Sequence, residues 1–261
     1  METMERSAAA AIQRAIDDIH QNIGEAITID DLARTAMFSK FHFSRLFRQV
    51  TGVSPGRFLS AVRLEEAKRL LLTTSMSVTE ITYRVGYNSV GTFSTRFKNS
   101  VGMSPTTYRE RRGFAPRITD HGPVRGGHAA IVQGEVVPSH DEEPGTVFLG
   151  LFPDTIPQGV PARCTVLERA GRFRLDRVPQ GTWFLLAQSV PHGEERVIGD
   201  APPTVAAHGP LTVRGDMILS NVELRLRSMR SIDPPVLLAL LDARRIALQR
   251  MEVRTPQEET A

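Results

Sequence analysis

The sequence predicts an all-α double helix-turn-helix domain of about seven helices, followed by a β-sandwich domain and a C-terminal helix. Three features predict it. The first is an internal repeat, in which Phe43, Ser44, Phe47, Gly52, Ser54 and Pro55 recur 50 positions later as Phe93, Ser94, Phe97, Gly102, Ser104 and Pro105. The second is a loss of periodicity from Gly113 onward, where Pro116, Gly122, Pro123, Gly126 and Gly127 mark a linker between independently folded units. The third is a change of period beyond that linker, with Val222, Leu224 and Leu226 alternating with Glu223, Arg225 and Arg227. The expected boundaries are residues 1–113 for the helical domain, 114–128 for the linker, and 129–261 for the sheet domain with its closing helix.

The elements follow in order. Ser7 to Ile12 is briefly apolar, but Arg14, Asp17 and Asp18 interrupt it well short of a signal segment or a membrane span, so it reads as an amphipathic helix. Each repeat opens with a short helix, Ile29 to Thr35 and Val78 to Val85. Thr28 and Ser77 are the N-cap candidates, and with Asp31 and Glu80 three positions on, both starts are capping boxes or near ones. Turns at Met37-Phe38 and Gly86-Tyr87 lead into helices of about a dozen residues, from near Ser39 and Ser89 to just before Gly52 and Gly102. Ser54-Pro55 and Ser104-Pro105 start new helices, because a capping hydroxyl precedes a residue whose φ is already helical. Pro55 to Leu72 joins the two copies. In the second domain, β-rich runs at Ala130 to Val137, Thr146 to Phe152, Cys164 to Leu167 and Thr182 to Val190 suggest a sandwich. Pro235 to about Met251 reads as the closing helix.

Composition narrows the function. The chain has 261 residues, 41% of them hydrophobic, enough for two cores. Its single cysteine, Cys164, forms no internal disulfide, and no cysteine spacing suits zinc; both fit a reducing compartment, with the cytoplasm as the default. Charge is uneven: residues 1–113 carry 16 Lys+Arg against 11 Asp+Glu, and the remainder 16 against 18. The basic half points to a polyanionic partner.

Within the helix from Ser39 to Val50, Phe43, Leu46, Phe47 and Val50 form the expected core stripe. Phe41, Ser44, Arg45 and Arg48 then lie on the opposite face. A phenylalanine facing outward beside two arginines suits a major groove, where arginine bonds guanine O6 and N7 and an apolar ring meets a thymine methyl. Arg48 is placed on phosphate. The second copy presents Gly91, Ser94, Thr95 and Lys98, flanked by Val90 and Thr92, a face with fewer strong donors and less expected discrimination.

The strings "FSKFHFSRLFRQVTGVSP" and "VGYNSVGTFSTRFKNSVGMSP", with "RLEEAKRLL" between them, resemble the AraC/XylS family of transcription regulators over about 100 residues. Carried over by motif position, the resemblance implies base contacts from Phe41, Ser44, Arg45, Val90, Gly91, Thr92 and Thr95. It implies backbone contacts from Lys40, Arg48, Arg96 and Lys98. Gly91 departs from the polar residue often found there. The order also departs from the usual one, since here the reading head comes first. A second segment, "GLFPDTIPQGVPARCTVLERAGRFRLDRVPQGTWFLLAQSV", resembles the prealbumin-like sandwich of carboxypeptidase regulatory-type domains, an accessory module.

The other reactive side chains are assigned no chemistry. His42 reads as a packed or phosphate-bonded residue. His140 with Glu143 and His192 with Glu195 match a zinc pair formally but lack a third ligand. Cys164 reads as a small buried hydrophobe, and Trp183 and Phe173 as core. The expected protein is a regulator and no enzyme, with no cofactor, and the resemblance favours activation. Its expected partners are double-stranded promoter DNA, RNA polymerase, a small-molecule effector and a second copy of itself through the C-terminal domain, with no membrane. The alternative is a DNA-binding head fused to a small-molecule enzyme domain.

Overall fold

The computed structural model describes residues 2–113, 130–138, 145–189 and 203–237. They fall into two units, the helices to Gly113 together with the segment from Arg230, and the strands.

The helical unit has seven helices: α1 (Glu2–Gln21), α2 (Ile29–Thr35), α3 (Lys40–Thr51), α4 (Pro55–Thr73), α5 (Val78–Arg84), α6 (Val90–Val101) and α7 (Pro105–Glu110). α1 buries Ala11, Ile12, Ala15, Ile16 and Ile19, the single stripe its amphipathic pattern requires. α4 buries side chains on more than one side, from Phe58 and Leu59 through Leu64 to Leu71, as befits a helix packed between two copies of a motif.

Both capping boxes form. Thr28 N–H donates to Asp31 at 3.0 Å while Thr28 Oγ1 accepts from the Asp31 N–H, and Ser77 with Glu80 repeats the exchange at 2.7 and 3.1 Å. Ser104 accepts from the Thr107 N–H at 3.1 Å, whereas Ser39 and Ser54 start their helices without a side-chain cap bond. The hydrogen bonds from Thr28 and Ser77 hold the Asp31 and Glu80 carboxyls below the ordinary carboxylate range. Since the folded value is the lower one, the stabilisation is complete above the ordinary range and is lost as pH falls through the folded value. Glu80→Gln keeps the reciprocal bond without the ionisation, so the acid-side fall in the melting temperature of the helices is expected to become shallower. Circular dichroism at 222 nm measures this, and an unchanged acid limb would contradict it.

The repeat extends into packing. In the first copy Phe47 lies between Phe43 and Phe58, with ring centroids 5.5 and 5.4 Å apart. In the second, Phe97 lies between Phe93 and Tyr108 at 5.7 and 5.6 Å. Two arginines tie the copies to their surroundings. Arg63 of α4 donates to the carbonyls of Ile23 and Glu25 and lies 6.0 Å from the Tyr87 ring centroid. Arg109 of α7 donates to the carbonyls of Leu71 and Met76, at and beyond the end of α4. Arg230 to Leu237 also belongs to this unit. Ser231 donates to Gln13 of α1 at 2.7 Å, Lys68 of α4 donates to the Val236 carbonyl at 3.0 Å, and Leu237 is buried.

The second unit has eight strands: β1 (Ala130–Val137), β2 (Val147–Phe152), β3 (Arg163–Leu167), β4 (Arg172–Val178), β5 (Gly181–Ser189), β6 (Thr204–Val213), β7 (Ile218–Arg225) and β8 (Arg227–Ser228). They form a three-stranded sheet, β4-β1-β7, and a five-stranded sheet, β3-β2-β5-β6-β8, which share one apolar core around Val132, Leu149, Leu151, Phe173, Leu185 and Leu224. The expectation of a β-sandwich holds only in coarser form, as a sheet-rich unit of two open sheets, and β1 pairs with β7 in parallel rather than antiparallel fashion. β6 escapes the sequence reading because Gly209-Pro210 looks like a breaker. The register with β5 slips there, pairing Trp183 with Leu211 and Leu185 with His208, so that β6 carries one extra residue, a bulge. Phe173 is core, and Trp183 packs half-buried against the core with its indole N–H on the Pro179 carbonyl. Cys164 is half-buried in β3.

The linker, both His/Glu pairs and most of the expected closing helix lie outside the described residues. Pro235 to Leu237, the beginning of that expected helix, are not helical. Among the described residues no helix is long and apolar enough to cross a membrane.

Candidate nucleic-acid interface

Each copy brings its second helix out of a turn that needs one residue in the left-handed region. Gly86 supplies it in the second copy at φ 80° and Met37 in the first at φ 62°. A Cβ on Gly86 would lie 2.5 Å from Arg63 Nη2 and 2.7 Å from the Ile23 carbonyl oxygen, so a side chain is excluded there on steric as well as backbone grounds. Met37, 83% exposed, has the room that Gly86 lacks.

Helices α3 and α6 then present equivalent faces. Phe43 and Phe47, like Phe93 and Phe97, are fully buried, and they anchor the inner stripe. The stripe differs in detail from the expected one. Leu46 and Val50 are only half-buried, and Thr51 is buried instead, its hydroxyl donating to the Phe47 carbonyl at 2.8 Å. On the outer face of α3, Lys40, Phe41, Arg45 and Arg48 are exposed and Ser44 is half-buried. On α6, Gly91, Thr92, Thr95, Arg96 and Lys98 are exposed and Val90 is half-buried. All eleven residues expected to meet DNA thus lie on the exposed or half-exposed sides of the two helices.

Phe41 is 88% exposed. Burial of such a ring contributes about 1.5–3 kcal/mol, and folding makes no use of it here. Gly91 lies over open space, a Cβ there meeting only Ser89 Oγ at 3.8 Å, so the α6 backbone is open to close approach. Among the described residues Arg45, Arg48, Arg96 and Lys98 form no ion pair, while Lys40 is held by Asp30 at 2.7 Å. A polyanion must compete with that carboxylate for Lys40.

Two features escaped the sequence reading. Phe58 and Tyr108, which complete the aromatic triads, obey the same 50-residue offset and were within its reach. His42 was read as a packed or phosphate-bonded residue, and it is not packed into the core. It is exposed, its ring stands edgewise on Phe38, and its Nδ1 is 3.2 Å from Arg45 Nη2. The i, i+3 spacing on α3 allows that contact, and the sequence reading did not draw it.

A family model described as a helix-turn-helix domain matches residues 32–111. The HTH-type transcriptional activator AarP of Providencia stuartii is 33% identical over 91 residues, which are 35% of this chain and 67% of that protein. An uncharacterised HTH-type transcriptional regulator of Haemophilus influenzae is 45% identical over 82 residues, 31% of this chain, and there the chain spans only 28% of the relative's length. Among solved structures, a transcriptional regulator with an AraC-type DNA-binding domain from Chromobacterium violaceum is 30% identical, covering 40% of this chain and 92% of that one with a TM-score of 0.38.

Proposed function

Because this chain belongs to the AraC-type family of helix-turn-helix transcription regulators, we propose that it reads a promoter sequence by setting α3 and α6 into successive major-groove segments of one duplex. The observation that carries this reading is the equivalent outward presentation of the two helices over equivalent buried aromatic triads. The 19 residues of α4 between the copies span about 28 Å at about 1.5 Å each, close to one turn of duplex DNA. Phe41, Ser44 and Arg45 read bases in one segment, and Val90, Gly91, Thr92 and Thr95 in the next. Lys40, Arg48, Arg96 and Lys98 hold the backbone. The bound site is double-stranded and preferred over random duplex by at least about a thousandfold.

The sheet-rich unit is the sensing or interaction module of this reading, a β-sandwich that binds an effector, a partner or a second copy. The name of the Providencia relative supports activation, which makes RNA polymerase the natural partner.

Titration of the selected site and of its single-base variants over a salt series tests the assignment. Arg45→Ala should cost about 1–3 kcal/mol and relax the preference at one base pair. Arg48→Ala should weaken binding to every duplex alike and reduce the salt slope by about one. Exchanged outcomes would reverse the two roles, and equal affinity of the intact protein for selected and random duplexes would end the proposal.

A further inference from the structure

The packing around His42 forms a short chain of contacts that ends on Arg45. Phe38 is held by the turn, its N–H donating to the Ala33 carbonyl at 2.9 Å. The His42 ring packs edgewise on Phe38, with centroids 4.8 Å apart and planes at 66°. His42 Nδ1 then meets Arg45 Nη2 at 3.2 Å. A guanidinium only donates, so Nδ1 is the acceptor and the ring proton is on Nε2.

We propose that His42 is the positioning residue for Arg45, holding one edge of the guanidinium so that its remaining N–H groups are aimed together at a guanine edge. The proposal rests on the base-reading role of Arg45 given above. An exposed arginine loses much rotamer freedom when it docks, and a bidentate contact tolerates little misalignment. Arranging the guanidinium before DNA arrives removes part of that cost. The pair sits one helical turn apart on α3, where i and i+3 side chains meet. The second copy provides the contrast. Tyr87, Thr92 and Thr95 occupy the corresponding places, Tyr87 turns its ring to Phe93 at 5.4 Å, and its hydroxyl lies 3.1 Å from Ser60 Oγ. A threonine needs no guide, so the device is confined to the face that carries the long donor.

The test uses the full-length protein with a duplex selected from random sequence, all single-base variants of that duplex, and random duplex at the same salt. His42→Ala should reduce discrimination about threefold to tenfold at the base pair that Arg45→Ala relaxes, with affinity for random duplex unchanged. His42→Asn, whose Oδ1 can accept in place of Nδ1, should restore most of it, and equal melting temperatures should show the fold intact. Full discrimination in His42→Ala, where Arg45→Ala relaxes it, would overturn the positioning role. So would a uniform loss on every duplex with a flatter salt slope, the mark of a phosphate contact. If Arg45→Ala relaxes no base pair, the groove-reading role fails first and the positioning role falls with it.

Discussion

Phe47→Ala and Phe97→Ala are each expected to lower the unfolding free energy of the helical unit by about 3–5 kcal/mol and to silence the recognition helix they lie beneath. Each ring is fully buried and is the middle member of an aromatic triad, so its removal leaves a cavity and strips two ring contacts at once, one tilted and one edge-on. Domain stabilities are only about 5–15 kcal/mol in total, so the loss is a large fraction of what holds the unit together. Urea unfolding followed at 222 nm should move to a much lower midpoint, and retention of the selected duplex should fall with it. Leucine at the same positions keeps most of the volume and should recover the greater part of the loss. Trp183, the chain's one tryptophan, lies in β5, so its emission should stay unchanged in these variants. A wild-type midpoint for either alanine variant would show that the triads do not hold the recognition helices in place.

Gly134→Ala is the counterpart in the sheet unit, and its expected effect is as large. A Cβ at Gly134 would lie 1.8 Å from the Val222 carbonyl oxygen and 2.8 Å from the Val222 nitrogen. Those are backbone atoms of β7, the parallel neighbour of β1, and no rotamer change can clear them. β1 is the middle strand of its sheet, so relief means parting the strands. Overpacking of side chains alone costs about 1–3 kcal/mol, and a collision with backbone should exceed that range. The expected result is an early transition in Trp183 emission while the helical signal at 222 nm keeps its midpoint. Wild-type emission and midpoint would mean that β1 and β7 are not so closely paired.

Much of the site was legible because it obeys a period. The 50-residue offset located both α3 and α6. The spacing of Phe43 and Phe47 put Phe41 and Arg45 on the other side, where the structure places them exposed. The triads could have been found by carrying the same offset on to Phe58 and Tyr108. Contacts between elements were not legible. Lys40 meets Asp30 across ten residues, Arg63 reaches Ile23 across forty, and Lys68 reaches Val236 across 168, separations at which no local rule pairs one residue with another. Residues 230–237 were assigned to the sheet domain, with a closing helix from Pro235, whereas Ser231 meets Gln13 of α1 and Val236 meets Lys68 of α4. Leu46 and Thr51 exchanged burial because the neighbours of a helix, not its hydropathy alone, decide where the edge of its buried stripe falls.

By itself the sequence determined the doubled helix-turn-helix, the caps and turns that start and end its helices, and the identity of the side chains on the two outward faces. Each of these depends on residues within a turn or two of one another, where propensity and periodicity act directly. Only the tertiary structure decided which groups stand beside those side chains, that β1 and β7 run parallel, and which unit the segment from Arg230 joins. Such outcomes depend on burial and hydrogen bonding between distant parts of the chain, whose meeting no local pattern encodes.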